Sequence, residues 1–305
     1  DRPLNSLMDN IMDDAINNTN DYRFNPIMSL KNEYRKTYAN YIQFNGFAEY
    51  EFIKGLKLKV SGGYTFDTRK GETFNNSKTR YGNPKSSDKV NAEIYHSQRA
   101  TWLNENILTY DFSVGKHSFN LLAGHSIQAT RWDKNEASKQ GFATDNIYEM
   151  DGGTMNDHVT GSAEESSLQS FFGRLNYNYG GRYLLEMNVR HDGSSRMPKA
   201  HRYATFPSFS GAWIMTNEKF MENVKFLHSL KLRGSWGKLG NQEIGNYAYA
   251  ATLAASGSYY FGDSKQIGMK TAKIPNENIK WETTTITDFG FDAAFWGGKI
   301  NVTFD

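Results

Sequence analysis

The stretch from Phe171 to Trp213 constrains the fold most, because two runs of alternating side chains follow one another across a two-glycine turn. Apolar side chains such as Leu175 occupy the odd positions of the first run, and polar ones such as Asn176 lie between them. A period of two is typical of a β-strand. The alternation resumes after Gly180-Gly181, so the sequence predicts a β-hairpin here.

Alternating segments recur along the whole chain and predict roughly ten strands joined alternately by short and long connections, as in outer-membrane barrels. Ile53-Lys54-Gly55 is one of the short turns, and a strand precedes it from Tyr38 onwards. The segment Thr216 to Ser229 has helical spacing and predicts a helical turn. The long polar connections are predicted at Arg69 to Tyr95, Arg131 to Ser167 and Gly240 to Lys280.

The apolar face of such strands has two possible environments. A soluble sheet would bury it against a second sheet, whereas a membrane barrel would turn it towards lipid and its polar face towards a wet lumen. The regular exchange of short and long connections favours the barrel. Aromatic side chains flank the short turns, as expected of a girdle at a membrane boundary: Tyr50, Phe52, Tyr110, Phe112, Tyr177, Tyr179, Tyr183, Phe295 and Trp296.

Composition excludes several classes of protein. Hydrophobic residues make up 38% of the chain and the mean hydropathy is -0.68, so no run is long enough for a membrane helix. Barrel strands give a weaker hydropathy signal, because half of their side chains face water. The chain has no cysteine for disulfides or thiolate metal sites. A net charge of +2 gives no sign of nucleic-acid binding.

Sequence motifs for chemistry are missing. The seven His residues are scattered without metal-ligand spacing, and neither a nucleophile elbow, a phosphate loop nor a dinucleotide fingerprint occurs. We therefore expect no catalytic residues, no metal and no cofactor. The acidic residues Asp145, Glu149 and Asp151 could bind calcium, but they lack EF-hand spacing, and a solvated loop explains them better.

Polar and aromatic residues in two segments are candidates for substrate or loop contacts. Arg190, Asp192 and Arg196 surround the DGSSR segment and could pair with one another. The second group offers amides and an aromatic ring suited to carbohydrate or peptide, or to hydrogen bonds between loops: Asn241, Gln242, Asn246 and Tyr247.

Four segments carry a family resemblance: FFGRLNYNYGGRYLL, VRHDGSSRM, FPSFSGAW and LKLRGSWGKLGNQEIGNYAY. In this order they resemble the barrel region of SusC/RagA-type TonB-dependent outer-membrane transporters, and the close match runs from Ser170 to Tyr249. The resemblance implies an all-β fold, an antiparallel transmembrane β-barrel of about 22 strands in its complete form. Residues 1–37 would be an extracellular loop segment, and residues 38–305 part of a barrel truncated at both ends.

The resemblance also implies a function and partners. Such a transporter imports oligosaccharides or oligopeptides through the outer membrane of a Gram-negative cell, with a SusD-like surface lipoprotein as its lid. The TonB complex would act through an N-terminal region outside this chain, and lipid would surround the barrel. A passive porin or adhesive barrel, or a soluble carbohydrate-binding β domain, remains an alternative. The sequence does not name the substrate.

Overall fold

A computed structural model describes residues 30–82 and 89–305, apart from the side chain of Ser256. Within these residues no helix is long and apolar enough to cross a membrane. Short 3-10 turns occur at Met150–Gly152, Lys199–His201, Met215–Asn217 and Lys219–Met221. The described strands are β1 (Glu33–Ile53), β2 (Leu56–Asn75), β3 (Asn91–Val114), β4 (His117–Phe142), β5 (Gly153–Tyr179), β6 (Tyr183–Ser194), β7 (Tyr203–Ile214), β8 (Leu227–Asn241), β9 (Thr252–Phe261), β10 (Ser264–Lys273), β11 (Glu282–Phe295) and β12 (Ile300–Phe304).

Ten of these strands form one sheet, in the order β1-β2-β3-β4-β5-β6-β7-β8-β11-β12. The neighbours from β5 to β8, and then β11 and β12, pair antiparallel. The strands β9 and β10 make a separate antiparallel pair between β8 and β11. This arrangement confirms the predicted all-β antiparallel fold.

The described chain divides into two compact units. The first comprises the residues up to Gln43, then Thr65–Thr101 and Arg131–Glu164, within the described ranges. The second comprises Phe44–Tyr64, Trp102–Thr130 and Glu165–Asp305. Of the predicted loop segment 1–37, residues 1–29 lie outside the described residues, and β1 begins at Glu33.

The strands extend into segments predicted as loops. The prediction of a loop over Arg131 to Ser167 was wrong for most of its length, because β4 continues to Phe142 and β5 begins at Gly153. The first half of β5 is mostly polar at odd and even positions alike, so no period of two marks the strand. Backbone hydrogen bonds hold such a strand without a sequence signal.

Two further connections differ from a plain loop. The strands β9 and β10 lie within the predicted loop Gly240 to Lys280. The helical turn predicted between Thr216 and Ser229 takes the form of the 3-10 turns Met215–Asn217 and Lys219–Met221.

The central hairpin has the predicted register. Leu175 pairs with Met187 on one face of β5 and β6, and Asn176 pairs with Glu186 on the other. The turn between these strands contains Gly180 at φ +57° and Gly181 at φ +69°. Two successive positive φ angles are what a type I′ hairpin turn requires, and glycine adopts them without strain.

Apolar side chains of the second unit point away from its interior. Phe289 is 74% exposed, and several residues of β5 to β7 on the same face are exposed as well. Among the described residues only a few apolar side chains are buried: Phe74, Ala92, Phe142, Met197, Phe206, Trp281 and Ala293. A soluble sandwich would bury these strand positions against a second sheet, and the described residues leave them exposed.

Candidate functional site

The sheet of the second unit has one polar and one apolar face, which we call by those names below. One register row of the polar face crosses β5, β6, β7, β8 and β11 and consists of Asn176, Glu186, Ser210, Ser235 and Asp288. The adjacent row of the apolar face consists of Leu175, Met187, Phe209, Trp236 and Thr287. Polar and apolar side chains, which alternate along each strand, are therefore separated onto opposite faces of the whole sheet.

The polar face of the second unit lines an open cavity of about 1030 Å³. Its wall continues from the polar row onto β3 and β4 through hydrogen bonds between side chains. Asn176 Nδ2 donates to Asn120 Oδ1 (3.2 Å), and Asn120 Nδ2 donates to Asp111 Oδ1 (2.6 Å). Apolar side chains such as Phe119 and Leu184 share this wall. Its amides, hydroxyls and carboxylates offer both donors and acceptors to water or to a polar ligand.

Charges on the polar face are paired locally. Arg233 of β8 lies 3.6 Å from Asp288 and 3.3 Å from Asp292 of β11, and it also pairs with Asp305. These groups are partly exposed, so the pairs orient side chains more than they stabilise the fold.

Two of the predicted site residues form a cluster at the end of β6 that carries the long connection to β7. Arg190 Nε donates to both carboxylate oxygens of Asp192 at 2.8 Å, and Arg190 Nη2 donates to Ser170 Oγ at 2.7 Å. The guanidinium carbon lies 5.4 Å from the ring centroid of Phe172. This cluster holds a partly exposed cation on the polar face, fixed by charge-assisted hydrogen bonds and an aromatic ring.

The third residue of that predicted group, Arg196, takes different partners. Arg196 Nη1 lies 3.1 Å from Glu243 Oε2, and Arg196 Nε donates to Asn246 Oδ1 at 3.1 Å. The β6–β7 connection is thereby linked to the segment after β8.

The remaining predicted residues belong to the same segment. Tyr247, at φ +58°, accepts a hydrogen bond from the backbone N–H of Glu165 (3.2 Å). Asn241 donates to Glu282 Oε2 at 3.1 Å, and the backbone carbonyl of Gln242 accepts from Ile244 N–H at 2.7 Å. The structure therefore engages Tyr247 with β5, Asn241 with the start of β11, and the backbone of Gln242 within its own loop.

Sequence reasoning missed the apolar cluster beneath this loop. Met197 is fully buried and packs with Phe206 and Trp281. Trp281 Nε1 also donates to the carbonyl of Arg202 at 3.1 Å. The presence of a Met and a Trp in polar segments was a signal, since large apolar residues outside strands need a partner surface.

At the opposite end of β6 a carboxylate organises the short-turn side. Glu218 is buried and accepts hydrogen bonds from Arg182 Nη1 (2.9 Å) and Trp213 Nε1 (3.3 Å). A hydrogen bond from the hydroxyl of Tyr183, together with those from Arg182 and Trp213, lowers the pKa of Glu218 although burial opposes this. The carboxylate thus connects the β5–β6 turn to the β7–β8 connection.

Aromatic side chains beside the short turns contact one another in pairs. Ring centroids are 5.0 Å apart for Tyr50 and Phe52, 4.8 Å for Tyr110 and Phe112, and 5.8 Å for Phe295 and Trp296. Another contact chain joins Tyr179, Tyr183 and Trp213.

The described residues contain no group of three or more His, Cys, Asp or Glu that could hold a metal ion. In the first unit, Asp145 has a structural role. Its carboxylate accepts hydrogen bonds from Ser77 N–H at 2.7 Å and from Ser77 Oγ at 2.6 Å.

Comparisons with known proteins agree with this architecture. Residues 3–305 match the family model described as TonB dependent receptor-like, beta-barrel. TonB-dependent receptor P3 of Formosa agariphila is 31% identical over 295 residues, covering 95% of this chain and 29% of the relative. TonB-dependent receptor SusC of Bacteroides thetaiotaomicron is 32% identical over 287 residues, covering 90% of this chain and 27% of the relative.

A solved structure, the RagAB peptide importer in the open-open state, superposes with a TM-score of 0.81 at 26% identity. The match covers 92% of this chain and 30% of that one. The chain therefore spans less than a third of the length of these relatives. The family is one of receptors, not of enzymes. Because its model spans nearly the whole chain, this protein belongs to the TonB-dependent receptor-like β-barrel family, and its sheet is an open fragment of the barrel.

Proposed function

We propose that this chain is part of the wall of an outer-membrane transporter that imports oligosaccharides or oligopeptides, energised through TonB. One observation carries the proposal: the exposed face of β5 to β8 is apolar, while the opposite face places charged and amide side chains such as Glu186, Arg233 and Asp288 on the cavity. A barrel wall between lipid and a wet lumen needs this division. The similarity to RagAB, a peptide importer, supports the substrate class.

The proposed placement assigns the two ends of the sheet. The short turns with their aromatic rings would lie at the periplasmic boundary, and the long connections would lie outside the cell. Arg190 and Asp192 would then face substrate near the mouth of the lumen. Arg196, Asn246 and Tyr247 would set the shape of that mouth by joining loops.

The long-connection end offers a surface for a SusD-like lipoprotein lid. On the β9–β10 hairpin Ile267 is 74% exposed and Phe261 is 71% exposed, and Leu253 and Tyr260 are exposed beside them. A group of large apolar side chains at one exposed hairpin is typical of a protein-binding surface.

The test is uptake by cells that carry or lack the full-length receptor. Labelled oligopeptides and oligosaccharides are supplied to the deletion strain, to the complemented strain and to a complemented strain without TonB. We expect uptake of one class to require both the receptor and TonB. Uptake that requires the receptor but persists without TonB would replace the proposal with a passive porin.

A further inference from the structure

The apolar face of the second unit ends at a row of polar side chains near the long-connection end of the strands. His125 of β4, Gln169 of β5, His191 of β6, and Tyr203 and Thr205 of β7 make up this headgroup row. Phe171 pairs with His191, and His191 pairs with Thr205, in the same register as the apolar positions. The row therefore lies on the apolar face and not on the polar one.

Two separate sets of hydrogen bonds join members of the headgroup row across neighbouring strands, in adjacent register positions of the apolar face. Tyr203 Oη donates to Gln169 Oε1 at 2.9 Å, and Gln169 Nε2 lies 3.1 Å from His125 Nε2. His191 Nδ1 lies 2.9 Å from Thr205 Oγ1. Each imidazole uses one ring nitrogen in these contacts, and within residues 30–82 and 89–305 no hydrogen bond reaches the other.

Gly193 allows the tyrosine to reach across β6. It lies between Gln169 on β5 and Tyr203 on β7 in the register. A Cβ at Gly193 would lie 2.3 Å from the Tyr203 ring, so the ring covers the glycine directly. The contact between Tyr203 and Gln169 therefore depends on three residues together, because the tyrosine reaches the amide only across a glycine at position 193.

The distance from this row to the aromatic residues beside the short turns is close to the thickness of the apolar band of a membrane barrel. From Tyr183 to His191 on β6, and from Trp213 to Thr205 on β7, the chain advances eight residues. Eight residues at 3.4 Å each span about 27 Å of strand. A tilt of about 40° reduces this to about 20 Å, close to the apolar band of about 25 Å in outer-membrane barrels.

We propose that the headgroup row contacts the polar headgroups of the outer leaflet and marks the upper hydrocarbon boundary between Val189 and His191 of β6. The inference rests on the membrane placement proposed above. Polar groups with free hydrogen-bonding capacity are excluded from lipid-exposed hydrocarbon, since no water satisfies them there. Headgroup oxygens and their water supply the partners that acyl chains lack.

The test uses single cysteines in the full-length receptor, reconstituted in lipid vesicles and labelled with a fluorophore. This chain has no cysteine of its own, and any cysteine in the rest of the receptor is replaced by serine so that labels attach only at the chosen positions. Met187→Cys and Phe209→Cys sit in the apolar band, and His191→Cys and Thr205→Cys replace the registered pair in the row. The fluorescence is then quenched with lipids that carry a nitroxide either deep in the acyl chain or on the headgroup.

We expect deep quenching to exceed headgroup quenching at Met187 and Phe209, and the ratio to reverse at His191 and Thr205. Deep quenching that dominates at all four positions would overturn the boundary while keeping the membrane placement. If no lipid quencher reaches any of them, the membrane placement itself fails. Asn188→Cys on the polar face is the matched control and is expected to respond only to a water-soluble quencher.

Discussion

At the scale of single residues, the buried methionine of the β6–β7 connection makes a sharp prediction. Met197→Ala removes the side chain that packs with Phe206 and Trp281. Truncating a fully buried methionine costs about 2 to 5 kcal/mol. We expect the backbone amides of residues 194–202 to exchange hydrogen faster in the detergent-solubilised receptor. The exposed neighbour Lys199→Ala is the control, and equal exchange in both variants would mean that Met197 does not anchor the loop.

A second residue-scale prediction follows from Glu218, which lies in the connection between β7 and β8. Its lowered pKa means that the folded state prefers the carboxylate. The stabilisation is therefore complete above the ordinary value of 4.5 and is lost as the pH falls through the lower folded value. Glu218→Gln should lower the melting temperature at neutral pH.

The difference between wild type and Glu218→Gln should shrink as the pH is lowered below about 4. Thermal unfolding in detergent at neutral and acid pH measures it. The exposed Glu222→Gln controls for a general change of charge. A difference that grows on acidification would show that the carboxylate does not carry the effect.

At the scale of elements, an arginine should impair assembly on the apolar face of β6 and be tolerated on the polar face of β7. Met187 lies midway along the apolar band, where Arg costs about 2 to 4 kcal/mol in an outer-membrane barrel. Met187→Arg should reduce the yield of folded receptor in the membrane fraction, and Leu185→Arg should reduce it less. Ser210→Arg on the polar face is the matched control. If all three variants assembled alike, the apolar face would not contact lipid.

The elements that sequence reasoning predicted are those whose signal is local. A period of two and a Gly-Gly turn act over a few residues, so the β5–β6 hairpin and its register followed from the sequence alone. The polar first half of β5 could not be found in this way, since its pairing with neighbouring strands leaves no apolar period. When both faces of a strand are exposed to water, its length is set by backbone pairing with the neighbouring strands and not by its own sequence pattern.

The partners in the loop contacts of the candidate site could not be predicted from the sequence either, because they lie far apart along the chain. Trp281 donates to the carbonyl of Arg202, and 79 positions separate the two residues. Arg196 and Asn246 are 50 positions apart. Residue types suggested that these segments make contacts, but the choice of partners is set by the order of strands in the sheet.

At the scale of the whole molecule, the proposal fixes which ends of the strands face the outside. A peptide tag inserted after Asp263, in the turn between β9 and β10, should bind antibody on intact cells. A tag after Lys299, in the short turn between β11 and β12, should bind antibody only after the outer membrane is permeabilised. Both positions are exposed, so burial within the fold does not restrict access to either.

The lid proposed above would also restrict antibody access to the first tag, so the experiment includes a strain without the lipoprotein. Removing the lid should raise binding at Asp263 and leave binding at Lys299 unchanged. Binding at Lys299 on intact cells, with none at Asp263 in either strain, would reverse the orientation of the barrel. The aromatic rings beside the short turns would then lie at the outer boundary, and the headgroup row would face the periplasmic leaflet.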